Sequence, residues 1–310
     1  MRRLLLIGLA AGCLAHAALP EFLPPEIKVL AGISVRGLID SPLLTGIGDA
    51  KTATARLMAG SPLASLDPLK DIDDLIIAST AEGDKAPALL VLRGRFGAVP
   101  LPGGARPYHG IPVFEDGRTA TGTIALLDAG TLIAGDTALV RAAIDRRGKA
   151  LALPPALIER ARDLESHFDL WGAGEVPQGI RSGTAPSPEL EAIDRFEFGA
   201  SLRRGLELTG QVHVRSSKDA EKLMQSMRLI EMMLKAQPKA GSGPKIDLQS
   251  AGDAVKFSLF IPEEDLKKGI EAQKAQFAAA MGSQPPPSEG SVARNQQGDA
   301  VTVTLPTKKN

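Results

Sequence analysis

The chain has 310 residues, enough to bury a large core in one domain or two. Thirty-six basic residues balance thirty-six acidic ones, which removes any global electrostatic case for nucleic acid or an anionic membrane as partner. One Trp, one Tyr and an aromatic fraction of 4% leave little from which to build stacking platforms for bases or sugars.

The first residues read as an export signal. Arg2-Arg3 is a basic start, Leu4 to Ala11 a short apolar run, and Ala15-His16-Ala17 a small-x-small site that places cleavage between Ala17 and Ala18. The apolar run is too short to span a membrane, and no later stretch has the length. Ala10-Ala11-Gly12-Cys13 offers an alternative, because it resembles a lipoprotein acylation site at Cys13. The usual large aliphatic residue three before the cysteine is absent, with Leu9 one place too early. Cleavage after Ala17 removes the one cysteine and with it any disulfide, thiol nucleophile or thiolate ligand.

Next comes an extended lead-in, Pro20 to Glu26, and a first strand, Ile27 to Val35, with Ile27, Val29, Ala31, Ile33 and Val35 on one face. Leu38 to Gly60 has partial helical spacing weakened by Gly46 and Gly48. Asp71, Asp73 and Asp74 read as a turn and an edge guard before the strand Leu75 to Ala78, and Ala88 to Leu92 gives another. Ala98 to Tyr108 is a Pro/Gly-rich loop, and Ile111 to Phe114 an edge strand, since Pro112 cannot donate to a central ladder. Thr123 to Leu127, a turn at Asp128-Ala129-Gly130 and Thr131 to Ala134 make a hairpin, followed by a helix from Asp136 to about Arg147. A helix from Pro155 to about Ser166 and a strand from His167 to Trp171 follow. Glu175 to Pro188 has the composition of a linker.

The clearest pattern runs from Ile193 to Lys274. Arg195 to Leu202 alternates strictly, and after Arg203-Arg204-Gly205 the alternation resumes through Leu206, Leu208, Val212 and Val214. This predicts a hairpin with one dry and one polar face. Ser216 caps a long helix, with Asp219 in capping-box position; Leu223, Met227, Ile230 and Leu234 form a stripe that should lie on Phe196, Phe198, Leu206 and Leu208. Ile246 to Leu248, a turn near Gly252-Asp253, Val255 to Ile261 and a helix from Pro262 complete the run. From Gly282 the composition turns to Pro, Ser, Gln and Gly, and only Val301 to Leu305 keeps a strand-like run.

Chemistry is scarce. His109, His167 and His213 have no partner at metal-ligand spacing, and the reading for each is a turn or solvated-strand residue. Tyr108-His109 follows the Pro/Gly loop, where a tyrosine packed on a sheet edge is the plain reading. The aspartate cluster lacks the glycine and terminal glutamate of a calcium loop. Gly46 to Lys51 and Gly241 to Lys245 lack phosphate-loop spacing, and no nucleophile elbow or zinc-protease motif is present. No catalytic, cofactor or metal residue is therefore assigned.

The lead-in Leu23-Pro24-Pro25-Glu26-Ile27-Lys28-Val29, the run Arg36-Gly37-Leu38-Ile39-Asp40-Ser41-Pro42 and the segment Asp73 to Arg95 resemble a family of uncharacterised exported bacterial proteins. The likeness covers most of the chain beyond the signal; it implies no activity and brings no functional residues.

The expectation is an α+β protein of antiparallel sheets backed by helices: signal peptide 1–17, one half 18–174, linker 175–187, second half 188–281 and tail 282–310. Each half holds two hairpin-then-helix modules. Internal duplication is one reading of that, and the common appearance of antiparallel α+β chains is the other. The expected role is non-enzymatic binding or structure in the envelope or secretome, with a protein or lipid partner and no cofactor. A hydrolase whose site forms only in the fold, or a lipid-anchored carrier or assembly factor, is the alternative.

Overall fold

The computed structural model describes residues 22–41, 66–80, 87–97, 104–115, 122–149, 152–176, 191–236 and 243–271. The export signal with Cys13, Ala17 and Ala18, the Gly46–Lys51 run, linker residues 177–190 and the tail from 282 lie outside these. The chain divides into units 1–269 and 270–310. All elements below belong to the first; of the second, only residues 270 and 271 are described, and they are helical.

The strands are β1 (Val29–Ser34), β2 (Ile72–Ser79), β3 (Ala88–Gly94), β4 (Arg106–Tyr108), β5 (Ile111–Glu115), β6 (Thr123–Asp128) and β7 (Thr131–Gly135), then β8 (Leu170–Glu175), β9 (Ile193–Ser201), β10 (Gly205–Val214), β11 (Lys245–Ala251) and β12 (Ala254–Pro262). They form one 12-stranded sheet in the order β11-β12-β10-β9-β8-β1-β2-β3-β7-β6-β5-β4, and every pairing is antiparallel. The chain is thus α+β with a single antiparallel sheet. Outward from the β1–β8 pair, one wing runs β1, β2, β3, β7, β6, β5, β4 and the other β8, β9, β10, β12, β11.

The helices include α1 (Val35–Ile39), α2 (Pro68–Asp71), α3 (Thr137–Arg146), α4 (Pro155–His167) and α5 (Ser217–Ala236), and residues 263–269 are helical as well, as expected after Pro262. Local signals set their starts. The Asp136 carboxylate accepts from the Ala138 amide at 2.9 Å, and Asp67 caps α2 with Pro68 in its first turn. At α5, the Ser216 hydroxyl accepts from the Asp219 amide at 3.2 Å and donates to the Asp219 carboxylate at 2.7 Å, so the predicted cap forms.

Cross-strand registers place Leu30, Ile76, Ala78, Leu89, Val91, Ile133, Ala125, Trp171 and Ala173 on one face. There α3 contributes Val140, Ala143 and Ile144, and α4 contributes Ile158, Ala161 and Leu164, closing the largest core cluster. By the same registers α5 lies on the opposite face, where Ala220, Leu223 and Met224 cover Ile193, Val214 and Val255.

Several expectations change. In β1 the fully buried side chain is Leu30, on the face opposite Val29 and Ile33, which stay half-buried. The lead-in is core: Leu23 and Ile27 are buried, and the Arg146 Nε donates to the Phe22 carbonyl at 3.1 Å. Asp73 and Asp74 guard no edge, because β2 lies between β1 and β3. β5 is not the edge either; β4 is, with Pro107 opposite Pro112 so that neither needs a donor. His167 closes α4, and the strand starts only at Leu170. The β9–β10 hairpin is half-buried on both sides over most of its length, because α4 reaches its polar face: the Arg160 Nε lies 2.7 Å from the Glu197 carboxylate.

Candidate functional site

A gathering of charge sits where β1 and β3 end and β2 and β8 begin, beside α1 and the last turn of α4. It lines a cleft of about 400 Å³ whose wall includes Trp171 and Phe168. Three arginines enter it and each meets a carboxylate. Arg36 donates to Asp73 at 2.5 Å, Arg93 donates to Glu165 at 2.6 Å, and Arg203 from the β9–β10 turn holds Asp169 at 2.8 Å. Asp74 stands 3.7 Å from Arg93 as a second acid. The Asp73 hydrogen bond, then its charge, raises the Arg36 pKa above the ordinary arginine value.

Asp169 is the anchor of this region. It is fully buried, and its carboxylate accepts from the Ser201 hydroxyl at 2.9 Å, the Leu202 amide at 3.4 Å and Arg203 through two nitrogens. Its backbone joins in, its carbonyl accepting from the Ser34 amide and its amide donating to the Ala200 carbonyl. A carboxylate so fully engaged orders the turn around it. These three arginine–carboxylate bonds link residues 34 to 72 positions apart, which no spacing rule could find.

The sequence-selected residues are dispersed. His109 sits in the β4–β5 turn with φ +47, its Nε2 3.4 Å from Asp145 of α3. The Tyr108 hydroxyl donates to the same carboxylate at 3.2 Å, and the Arg141 guanidinium lies 5.4 Å over the Tyr108 ring. Partial burial, then the Asp145 hydrogen bond, raises the Tyr108 phenol above its usual value. The cluster clamps the edge hairpin onto α3. His167 caps α4 beside Asp163, and His213 on β10 meets Gln211 at 2.7 Å. The Gly243 amide, within the second glycine-rich candidate, donates to Asp265 at 3.0 Å, so its anion acceptor comes from this chain. No group of three metal-ligand side chains occurs among the described residues.

The remaining feature is on α5. Among its described side chains, the packed cluster takes none beyond Met227. Leu229, Ile230, Met232 and Met233 are 55%, 57%, 62% and 65% exposed. The expected seat of Ile230 on Phe196 and Leu208 is therefore not formed, because the sheet side chains under α5 are Val212, Val214, Val255 and Leu248. Four adjacent large apolar side chains, half of them methionines, form a surface of the kind that marks a contact site. No helix among the described residues is long and apolar enough to cross a membrane.

No protein-family model matches the chain, and no curated protein sequence matches it. Two solved structures are similar to it, crystal forms I and III of TP0453, each 14% identical. Form I aligns over 83% of this chain and 98% of that one with a TM-score of 0.51. Form III covers 83% and 99% with a TM-score of 0.49. At that identity the likeness to form I is one of fold alone.

Proposed function

We propose that the chain is an exported, non-enzymatic binding protein whose contact surface is the C-terminal half of α5. The observation that carries this is the exposure, each above one half, of Leu229, Ile230, Met232 and Met233 on a helix whose first half is firmly seated. Burying such side chains is worth about 1.5–3 kcal/mol apiece, so the surface is costly unless a partner covers it. The hydrolase reading finds no such support, since Asp73 and Glu165 in the charged cleft, and the buried Asp169 behind it, are each held by an arginine.

Export rests on the signal at residues 2–17, with cleavage at Ala17–Ala18. Intact mass from the producing cell should begin at Ala18; a diacylated mass beginning at Cys13 would make the protein membrane-tethered instead.

The matched strand order of the wings supports an internal duplication in which β1–β3 and β6–β7 answer to β8–β10 and β11–β12. The β4–β5 hairpin and α5 then occupy equivalent places in the chain, between the third and fourth strands of each repeat. The contact surface thus sits on the element in which the repeats differ.

A photo-reactive benzoylphenylalanine at position 230 tests the binding role in the producing cell. It should give an adduct whose mass identifies the partner, while the same group at exposed Glu159 of α4 gives none. Equal labelling at the two positions, or none at 230, would overturn the reading.

A further inference from the structure

Sulfur is unevenly distributed along this chain. Seven methionines occur among 310 residues, and Met224, Met227, Met232 and Met233 all lie in α5. The proposed cleavage after Ala17 removes Cys13, so thioethers are the sulfur that the exported chain keeps.

These four methionines differ in exposure along one helix. Met224 is 7% exposed and belongs, with Leu223, to the cluster that seats α5 on the sheet; Met227 packs against that cluster half-buried. Met232 and Met233 are 62% and 65% exposed. An oxidant in solution therefore reaches the last two and not the first. Position on the helix separates the exposed pair in turn. Residues three and four apart share a face, so Met233 stands beside the exposed Leu229 and Ile230. Met232 instead has exposed Arg228 four residues before it and Lys235, held by Glu231, three after it. Met233 thus lies in the apolar patch, and Met232 on its charged side.

We infer that Met233 is an oxidation site through which peroxide switches the α5 contact surface off, with Met232 oxidised beside it at no cost to the fold. The inference rests on the proposed contact surface and names its regulation. The thioether sulfur attacks one oxygen of hydrogen peroxide, the O–O bond breaks, and that oxygen stays on sulfur while the other leaves as water. Sulfur gives up two electrons and the peroxide gains them. The sulfoxide is a polar acceptor placed between Leu229 and Ile230, where no donor answers it, so burying it under an apolar partner becomes unfavourable. At position 232 the new acceptor has the Arg228 guanidinium one turn away, and α5 is undisturbed. A thiol-dependent sulfoxide reductase returns the thioether, with a disulfide and water as products, which makes the change reversible. The same reaction at Met224 would set a polar group in the packed cluster, and burial protects that sulfur.

Peptide mass spectrometry of the purified chain after graded hydrogen peroxide tests the site. Met232 and Met233 should take up oxygen at least about tenfold faster than Met224, and sulfoxide reductase with dithiothreitol should remove it. The circular dichroism spectrum should not change. In the producing cell, peroxide should lower capture by benzoylphenylalanine at position 230 at least about fivefold. Met233→Leu, read against its own untreated level, should keep its capture, because leucine has no sulfur to oxidise. Met232→Leu, read the same way, should lose capture as the parent chain does. Oxidation of Met224 as fast as Met233 would overturn the inference, and so would a Met233→Leu chain that stays peroxide-sensitive. Capture indifferent to peroxide once Met233 is oxidised sinks the switch and leaves the contact surface standing. Capture absent before any peroxide sinks both.

Discussion

Asp169 shows what a single buried carboxylate does for this fold. It lies between the end of α4 and the start of β8, where its acceptor oxygens draw in the turn after β9 and its backbone ties the end of β1. Gly37 belongs to the same arrangement, since a Cβ there would come 2.2 Å from the Asp169 Oδ1. The Arg203 side chain is 62% exposed, so its ion pair is screened at one end and contributes little. The larger cost of Asp169→Ala comes from stranding the Ser201 hydroxyl and the Leu202 amide. A loss of about 1–3 kcal/mol is expected from urea titration. Asp163→Ala, an exposed acid on α4, serves as the control, and an equal midpoint shift in both would show that the buried bonds count for nothing.

At the scale of one element, α5 is a helix with two regimes. Leu223 is 9% exposed within a packed cluster, whereas Ile230 is 57% exposed. Leu223→Ala should cost about 2–5 kcal/mol, as for other buried large-to-small changes. Ile230→Ala should stay within about 0.5 kcal/mol. A urea midpoint that falls equally for both would mean that the far end of the helix is seated after all. The N-terminus of α5 supplies a pH-dependent element. The Ser216 hydrogen bond, with lesser help from Lys222, holds the Asp219 carboxyl below its ordinary value. A depressed folded-state value means that this group adds stability at pH above the ordinary aspartate value of about 3.9 and loses it as pH falls through the folded value. The thermal midpoint of the wild type should therefore exceed that of Asp219→Asn at neutral pH, and the gap should close toward pH 2. A gap independent of pH would assign the effect to something other than ionisation.

At the scale of the whole molecule, the wings meet at the β1–β8 pair, where Gly32 faces Trp171. A Cβ on Gly32 would come 2.4 Å from the indole, so the close approach requires glycine. Trp171 is the one tryptophan and is 2% exposed, which makes it a reporter for the join. Gly32→Ala should lower stability by about 1–3 kcal/mol through overpacking, with the tryptophan emission shifted to the red. An unshifted spectrum at full stability would show that the indole can move aside at no cost. What the sequence determined by itself was whatever depends on neighbours in the chain. The alternation of Arg195 to Leu202, the Asp128 turn, the Asp136 and Ser216 caps and the proline-opened α4 all followed from backbone geometry acting over a few residues. The absence of any recognisable catalytic spacing was equally local. Only the tertiary structure decided that β2 is central and not guarded by its aspartates, that β5 lies inside β4, and that Ile230 of the α5 stripe is left exposed. It alone brought Arg93 to Glu165 and Arg203 to Asp169. Periodicity records which side of an element is apolar; which element covers that side depends on strand order and crossovers, set by packing between residues far apart in sequence.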